Sequence, residues 1–343
     1  MGKYKQIYVL APYSVTSGGI ELAHQLVDAL RNQGENAFIV YTEGEVNCIT
    51  QTTTVTPAYN NYNIVTASKI DDNAANLLVL PETYFDWVYC YEKIQYAGWW
   101  MSVDNYYYAC ALKQQLSFHT RFGKRYTLIR KHLFKEKFRN TISDLIALET
   151  EGRLFSMYQS HYAKLHLLGC GFRNLMPLGD YINTDFLAQN KNLEVPREDI
   201  ILYNPVKGFK FTSSIIKRMS AYTFVALKGY SREELRDLFQ KSKLYIDFGH
   251  FPGKDRLMRE AVLSGCCVIT SRIGAAAYYE DVPIMNKYKF EVKKSSLSGI
   301  TKHIAMVINN YNHCAPDFTD YRTTIEQEQA VFKQQVTDIF THN

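Results

Sequence analysis

The sequence predicts an α/β protein built from two Rossmann-like domains, each a parallel sheet wrapped by helices. Three observations carry that prediction. At 343 residues the chain exceeds what one hydrophobic core usually serves, which favours two domains. Short apolar runs alternate with helical patterns in both halves, the order that builds βαβ units. The stretch 244–270 then runs strand, polar loop, helix, strand: Leu244-Tyr245-Ile246-Asp247-Phe248 reads as a buried strand, Gly249 to Gly253 as a Gly/Pro loop, and Gly265 as the cap of the helix before Cys267-Val268-Ile269.

In an open parallel sheet, ligands bind at the carboxyl ends of the strands, and a helix that begins there points its free N–H groups and positive dipole end at an anion. Lys254, Arg256 and Arg259 add cations to the loop and helix that follow the 244–248 strand. That segment is suited to a phosphorylated ligand.

Taken in order, Ile7 to Ala11 is a short buried strand, and the loop 12–19 ends it. From Ile20 the period becomes helical, with Leu22, Ala23, Leu26, Val27 and Leu30 on one face until Gly34 stops it. Asn36 to Tyr41 is the second strand. Gly18 and Gly19 stand at the strand-to-helix turn, where a Cβ would obstruct a phosphate or sugar approaching the backbone. The pattern is not G-x-G-x-x-G, which disfavours a nicotinamide dehydrogenase. Residues 44–76 are a polar loop region; Leu77 to Leu80 returns to a buried strand. Tyr96 to Asn105 reads as another, with Asp104 at its carboxyl end.

Residues 121–139 set eight Lys/Arg against the single Glu136, with aromatic rings between them. Two readings stay open here. Arg121, Lys124, Arg125, Arg130, Lys131 and Lys135 could hold a helix on an anionic membrane surface, or the segment is a solvated basic helix packed by Leu128, Ile129, Leu133 and Phe134. Nucleic acid is disfavoured, because the cations are confined to one segment without a recognition motif.

Leu154 to Ser160, the helix from His161 to Leu168 and the strand within Asn174 to Asn183 close the first half, and 190–199 reads as a linker. Asp199 to Gly208 opens the second half as a strand followed by Lys207-Gly208. A strand from Tyr222 to Leu227, a turn at Gly229-Tyr230 and a helix capped by Ser231 with Glu234 at its third position come next. A last strand is expected near Val282 to Met285, with helices over 295–311 and 317–340. The expected boundaries are 1–195 for a first domain, 196–320 for a second, and 321–343 for a closing helix.

A net charge of +5 is mild and compatible with phosphorylated ligands or an anionic membrane. Seven cysteines, an odd number with no C-x-x-C pair, support neither a disulfide framework nor a zinc site, so the expected setting is a reducing cytoplasm. No apolar h-region opens the chain and no run of 18 apolar residues occurs in it, so neither a signal peptide nor a membrane span is expected.

Arg259-Glu260-Ala261, followed by Ser264-Gly265-Cys266-Cys267-Val268-Ile269-Thr270-Ser271, resembles the donor-site segment of GT-B glycosyltransferases of the family 4 type. Lys207-Gly208 and the order of strands and turns after it are similar as well, as is Ser17-Gly18-Gly19. The resemblance implies two nucleotide-fold domains facing across a cleft, 1–195 on the acceptor side and 196–320 binding the nucleotide sugar, with the 321–343 helix returning to the first domain. It also implies transfer from a nucleoside diphosphate sugar with retention of configuration. Glu260 stands where that family binds the ribose, and Pro252 stands where its first glutamate would be, with Asp255 the nearest acid. Leu202 and Tyr203 occupy the place of its arginine.

On this resemblance Asp104, Lys207 and Glu260 carry catalysis. Gly18, Gly19, Asn204, Lys207, Gly229, Tyr230, Gly253, Lys254, Asp255, Arg256 and Glu260 hold the donor. No metal or other cofactor is expected, since the sequence has no Asp-x-Asp and no His/Cys constellation. The expected partners are a nucleotide sugar, a saccharide or lipid-linked acceptor and an anionic membrane surface, in cell-surface polysaccharide synthesis on the inner face of the membrane. The rival readings are a sugar-nucleotide epimerase of the same fold and a non-catalytic partner subunit.

Overall fold

A computed structural model describes residues 3–13, 15–43, 46–114, 141–183, 186 and 196–341. The chain divides into two compact units. One comprises Met1–Gln159, Ala163–Leu178 and Gln335–Asn343; the other comprises Ser160–Tyr162 and Gly179–Gln334.

The first unit is a six-stranded parallel sheet. β1 (Gln6–Pro12) is apolar throughout its middle and lies at zero to a few per cent exposure there, as a strand covered by helices on both faces must be. α1 (Gly18–Asn32) starts at Ser17, whose hydroxyl accepts from the Ile20 amide, and it stops before Gly34, whose φ of +86° ends the helical backbone. β2 (Ala37–Thr42) and β3 (Asn76–Pro81) flank β1 on opposite sides. β4 (Gln95–Trp100), β5 (Leu154–Tyr158) and β6 (Leu175–Pro177) extend the sheet beyond β3. The order β2-β1-β3-β4-β5-β6 therefore reverses between β1 and β3.

The strand expected over Tyr96 to Asn105 ends earlier. The Ser102 hydroxyl accepts from the Asn105 amide at 3.1 Å, and α2 (Val103–Gln114) begins there. Ser-x-Asp-Asn favours a helix start over strand continuation, so Asp104 lies in the first turn of a helix. α3 (Thr141–Thr150) and α4 (His161–Cys170) complete the helical layers.

The second unit is a five-stranded parallel sheet of β7 (Glu198–Tyr203), β8 (Thr223–Ala226), β9 (Ser242–Asp247), β10 (Cys267–Ser271) and β11 (Lys289–Phe290), in the order β11-β10-β9-β7-β8. The order reverses between β7 and β9. α5 (Phe209–Arg218) and α6 (Arg232–Lys241) join the first strands. α6 carries the full capping box, Ser231 accepting from the Glu234 amide and Glu234 from that of Ser231.

α7 (Arg256–Leu263) follows β9, and α8 (Leu297–Asn309) and α9 (Thr319–Phe340) end the chain. The last strand is not at Val282 to Met285. Pro283 lacks the amide a ladder needs, and it is Lys289 that pairs with Thr270. Among the described residues no helix is long and apolar enough to cross a membrane.

Candidate functional site

The loops that leave β7 and β9 meet where the second sheet reverses, the position at which such sheets bind ligands. The loop after β7 is shaped by Asn204, whose side-chain oxygen accepts from the amides of Val206 at 2.9 Å and Lys207 at 3.2 Å. This is the local turn that asparagine favours. Gly208 takes φ +64°, and a Cβ there would stand 2.5 Å from the Phe248 carbonyl oxygen. A Cβ on Gly249 would stand 2.4 Å from that of Lys207. Only glycine lets the two backbones come this close.

Asp247 ends β9 beneath this contact and is buried. It accepts from the Gly249 amide at 2.8 Å, from the Tyr245 hydroxyl at 3.1 Å and from the Asn204 side-chain amide at 3.5 Å. Burial, and after it the charge of Asp255, pushes its pKa up to about 6.

Lys207 Nζ stands 2.5 Å from Asp255 Oδ2. Asp255 is itself the N-cap of α7 and accepts from the Met258 amide. Burial works against the Lys207 ammonium, but the carboxylates of Asp255 and Asp247 outweigh it, and its pKa lies above the usual lysine value. The Lys207 side chain is 36% exposed and that of Asp255 only 7%, so the cation is the accessible partner.

At the first position of α7, Arg256 Nε donates to Oε1 of Glu260, one turn further along, at 2.8 Å. Glu260 is nearly buried, and burial raises its pKa against the pull of Arg256.

The structure thus brings Asn204, Lys207 and Asp255 into direct contact, with Arg256 and Glu260 on the same short helix. Gly253 precedes them in the loop. Lys254 pairs with Glu328 at 3.5 Å. Arg259 turns into the core, 1% exposed, and pairs with Asp180 and Glu328. Gly229, with φ +82°, and the half-exposed Tyr230 form the turn after β8, the edge strand beside β7.

In the first unit, Gly18 and Gly19 open α1 at the carboxyl end of β1. A Cβ at Gly18 would meet nothing within 4 Å, and one at Gly19 would come 3.4 Å from Met101 Sδ. Asp104 lies on α2. The cations Arg121, Lys124, Arg125, Arg130, Lys131 and Lys135 lie outside the described residues. Among those residues, no three His, Cys, Asp or Glu side chains form a group that could hold a metal.

Two carboxyl groups were not expected as site residues. Asp247 is one. Glu82, at the carboxyl end of β3, is the other: it is buried and accepts from the Met101 amide at 3.2 Å, and burial pushes its pKa up to about 7. Both are acids at or inside an otherwise apolar strand, and that alone was the signal.

Two parallel nucleotide-fold sheets in series, each with a reversed strand order, define the class: an α/β protein of the GT-B architecture. No family model and no curated protein matches the sequence. Solved structures match its fold. TarM is 14% identical, with a TM-score of 0.54, over 78% of this chain and 55% of that one, so this chain spans about half the length of TarM. HepE from Anabaena in complex with UDP-glucose is 11% identical over 97% of this chain and 98% of that one, with a TM-score of 0.55. WaaG, a glycosyltransferase involved in lipopolysaccharide biosynthesis, is 11% identical over 97% and 99%, with a TM-score of 0.52. At these identities the likeness is one of fold.

Proposed function

We propose that the chain is a glycosyltransferase that moves a sugar from a nucleoside diphosphate sugar to a hydroxyl of a saccharide or lipid-linked acceptor. The observation that carries this is the Lys207–Asp255 pair at the reversal of the second sheet, with Glu260 on the helix that Asp255 caps. Departure of a nucleoside diphosphate develops negative charge on the leaving oxygen. A fixed ammonium and helix-start amides aimed at that oxygen stabilise it without reorganising at the moment of reaction. Asp255 keeps Lys207 in place until a phosphate oxygen takes over as its partner. Glu260, desolvated and oriented by Arg256, is suited to accept from a pair of ribose hydroxyls.

In the same proposal Gly18 and Gly19 admit the donor phosphates close to the α1 backbone, Asp104 serves the acceptor, and Gly229-Tyr230 lies against the base. Metal-independent transfer with retention, on the cytoplasmic face of a membrane, rests on the family resemblance alone; a role in surface polysaccharide synthesis is supported besides by the likeness to WaaG, a glycosyltransferase involved in lipopolysaccharide biosynthesis.

Nucleotide release from UDP-, GDP- and ADP-sugars, followed with and without a saccharide acceptor, tests the proposal. Acceptor-dependent release that falls at least about 100-fold in Lys207→Met supports it, that being the loss typical of removing one such charge-stabilising group. Sugar interconversion without acceptor would instead support the epimerase. Absence of nucleotide binding would refute both.

A further inference from the structure

Behind the face of α7 that carries Glu260 lies a buried ionic network. Arg259 Nη1 donates to Glu328 Oε2 at 2.7 Å, Nη2 to Asp180, and Nε to the main-chain oxygen of Asp255 at 3.4 Å. Lys254 adds a second cation, 3.5 Å from Glu328 Oε1. Glu328 belongs to α9 and Asp180 to the segment after β6, so residues distant in sequence converge on one guanidinium. Arg259 and Glu328 are 1% and 7% exposed. The attraction of Asp180 and Glu328 overcomes burial and holds the Arg259 pKa above its usual value.

Such a network is an inefficient source of stability. Desolvating the charges offsets most of what their attraction gives, and apolar side chains of the same volume would serve the core as well or better. What it supplies is geometry, because a planar guanidinium with several donors fixes the direction of each partner.

The groups it fixes are informative. Its Nε holds the carbonyl of Asp255, whose carboxylate holds Lys207 and caps α7. It also sits next to Glu260 in sequence, on a helix of only eight residues. A helix this short keeps its position through its neighbours rather than through its own hydrogen bonds.

We propose that Arg259, anchored by Asp180 and Glu328, is a positioning residue that sets the Lys207–Asp255 pair and Glu260 in register for the nucleoside diphosphate. The proposal rests on the donor-site reading above. Arg259 touches no substrate; it acts through the Asp255 carbonyl and through the placement of α7. The conservative variant Arg259→Lys keeps a cation between Asp180 and Glu328 but has no Nε donor in the plane of a fork, so charge survives and direction is lost.

The test titrates UDP, GDP, ADP, CDP and dTDP into the full chain by calorimetry, and takes the tightest binder to Arg259→Lys, Asp180→Asn and Arg259→Met. KM for the matching sugar nucleotide and kcat are measured on the same proteins well below their melting temperatures. Arg259→Lys is expected to fold, to weaken nucleotide binding about tenfold and to raise KM by a similar factor. Asp180→Asn, which leaves the Glu328 anchor, should give a smaller change of the same sign. Unchanged affinity and KM in Arg259→Lys, with only a lower melting temperature in it or in Arg259→Met, would show a purely structural network and overturn the proposal. If no nucleotide binds the unmodified chain, the donor-site reading itself fails and the positioning role fails with it.

Discussion

Replacing Asp247 by asparagine should stabilise the protein at pH 8 and leave it nearly unchanged near pH 4. The carboxyl group is 1% exposed, and burial, reinforced by Asp255, raises its pKa from 3.8 to about 6. A carboxyl whose folded pKa exceeds its unfolded value holds its proton more tightly in the fold. Its contribution to stability is therefore fully present below about pH 4 and is lost as pH rises through about 6. A shift of this size corresponds to about 3 kcal/mol between the two ends of that range.

Asparagine removes the ionisation and keeps the shape. Its oxygen still accepts from the Gly249 amide, while its NH2 faces the Tyr245 hydroxyl, which can rotate to accept, and the Asn204 NH2, which cannot turn over because the Asn204 oxygen is held by the Val206 and Lys207 amides. Part of the gain is lost in that rearrangement, so about 1–3 kcal/mol is expected at pH 8. Urea unfolding of both proteins at pH 4 and pH 8, with the slope m checked for constancy, measures it. An effect equal at the two pH values, or a destabilisation at pH 8, would refute the reasoning. A second readout is independent of folding: with one negative charge fewer beside Lys207, nucleoside diphosphate affinity should rise several-fold at pH 8.

Lys207→Met should lower stability as well as turnover, because it leaves Asp255 and Asp247 facing each other without a cation. The loss of about 1–3 kcal/mol expected for an abandoned buried charge should shrink at pH 5 in thermal melts, and an identical loss at both pH values would count against the electrostatic account. Gly249→Ala should destabilise by at least about 1–3 kcal/mol, the usual cost of overpacking, since its Cβ would stand 2.4 Å from that of Lys207; a melting temperature equal to that of the parent would contradict the close approach of the two loops. Glu82→Gln should flatten the pH dependence of stability. Burial lifts the Glu82 pKa to about 7, so stability held below about pH 4 falls as pH rises through 7 in the parent and not in the variant; chemical unfolding at pH 5 and pH 8 decides it.

Much of the fold was legible because parallel strands buried on both faces leave plain apolar runs. Ile7 to Ala11, Leu77 to Leu80 and Leu244 to Ile246 are such runs, and all three are strands. Capping chemistry was legible for the same local reason, as at Ser231 and Glu234. The failures were also local in origin. Tyr96 to Trp100 is apolar, and no glycine or proline separates Trp100 from Ser102, so only the cap sequence at Ser102 marks the helix that begins at Val103. Near the end of the chain Val282 to Met285 has strand composition, but Pro283 removes a donor, and the pairing falls instead on the two residues Lys289 and Phe290.

The candidate site was less legible, and α7 shows why. The sequence groups Lys254, Arg256 and Arg259 as three cations at a helix start. Three residues along a helix project only about 60° apart, so Arg256 and Arg259 are near neighbours in azimuth, yet the edge of the buried face falls between them. Arg256 is left to orient Glu260, while Arg259 is enclosed. That edge is set by Asp180 and Glu328, which lie 79 and 69 residues away, and no local pattern contains them. Lys254 is likewise claimed by Glu328. The charge of the segment was readable from its composition, but which cation meets a ligand depends on which carboxylates the tertiary fold has already committed. Of these four basic residues, Lys207 remains the ammonium whose carboxylate partner stands at the strand reversal itself, and the chemistry of the site therefore turns on whether a phosphate oxygen can displace Asp255 from it.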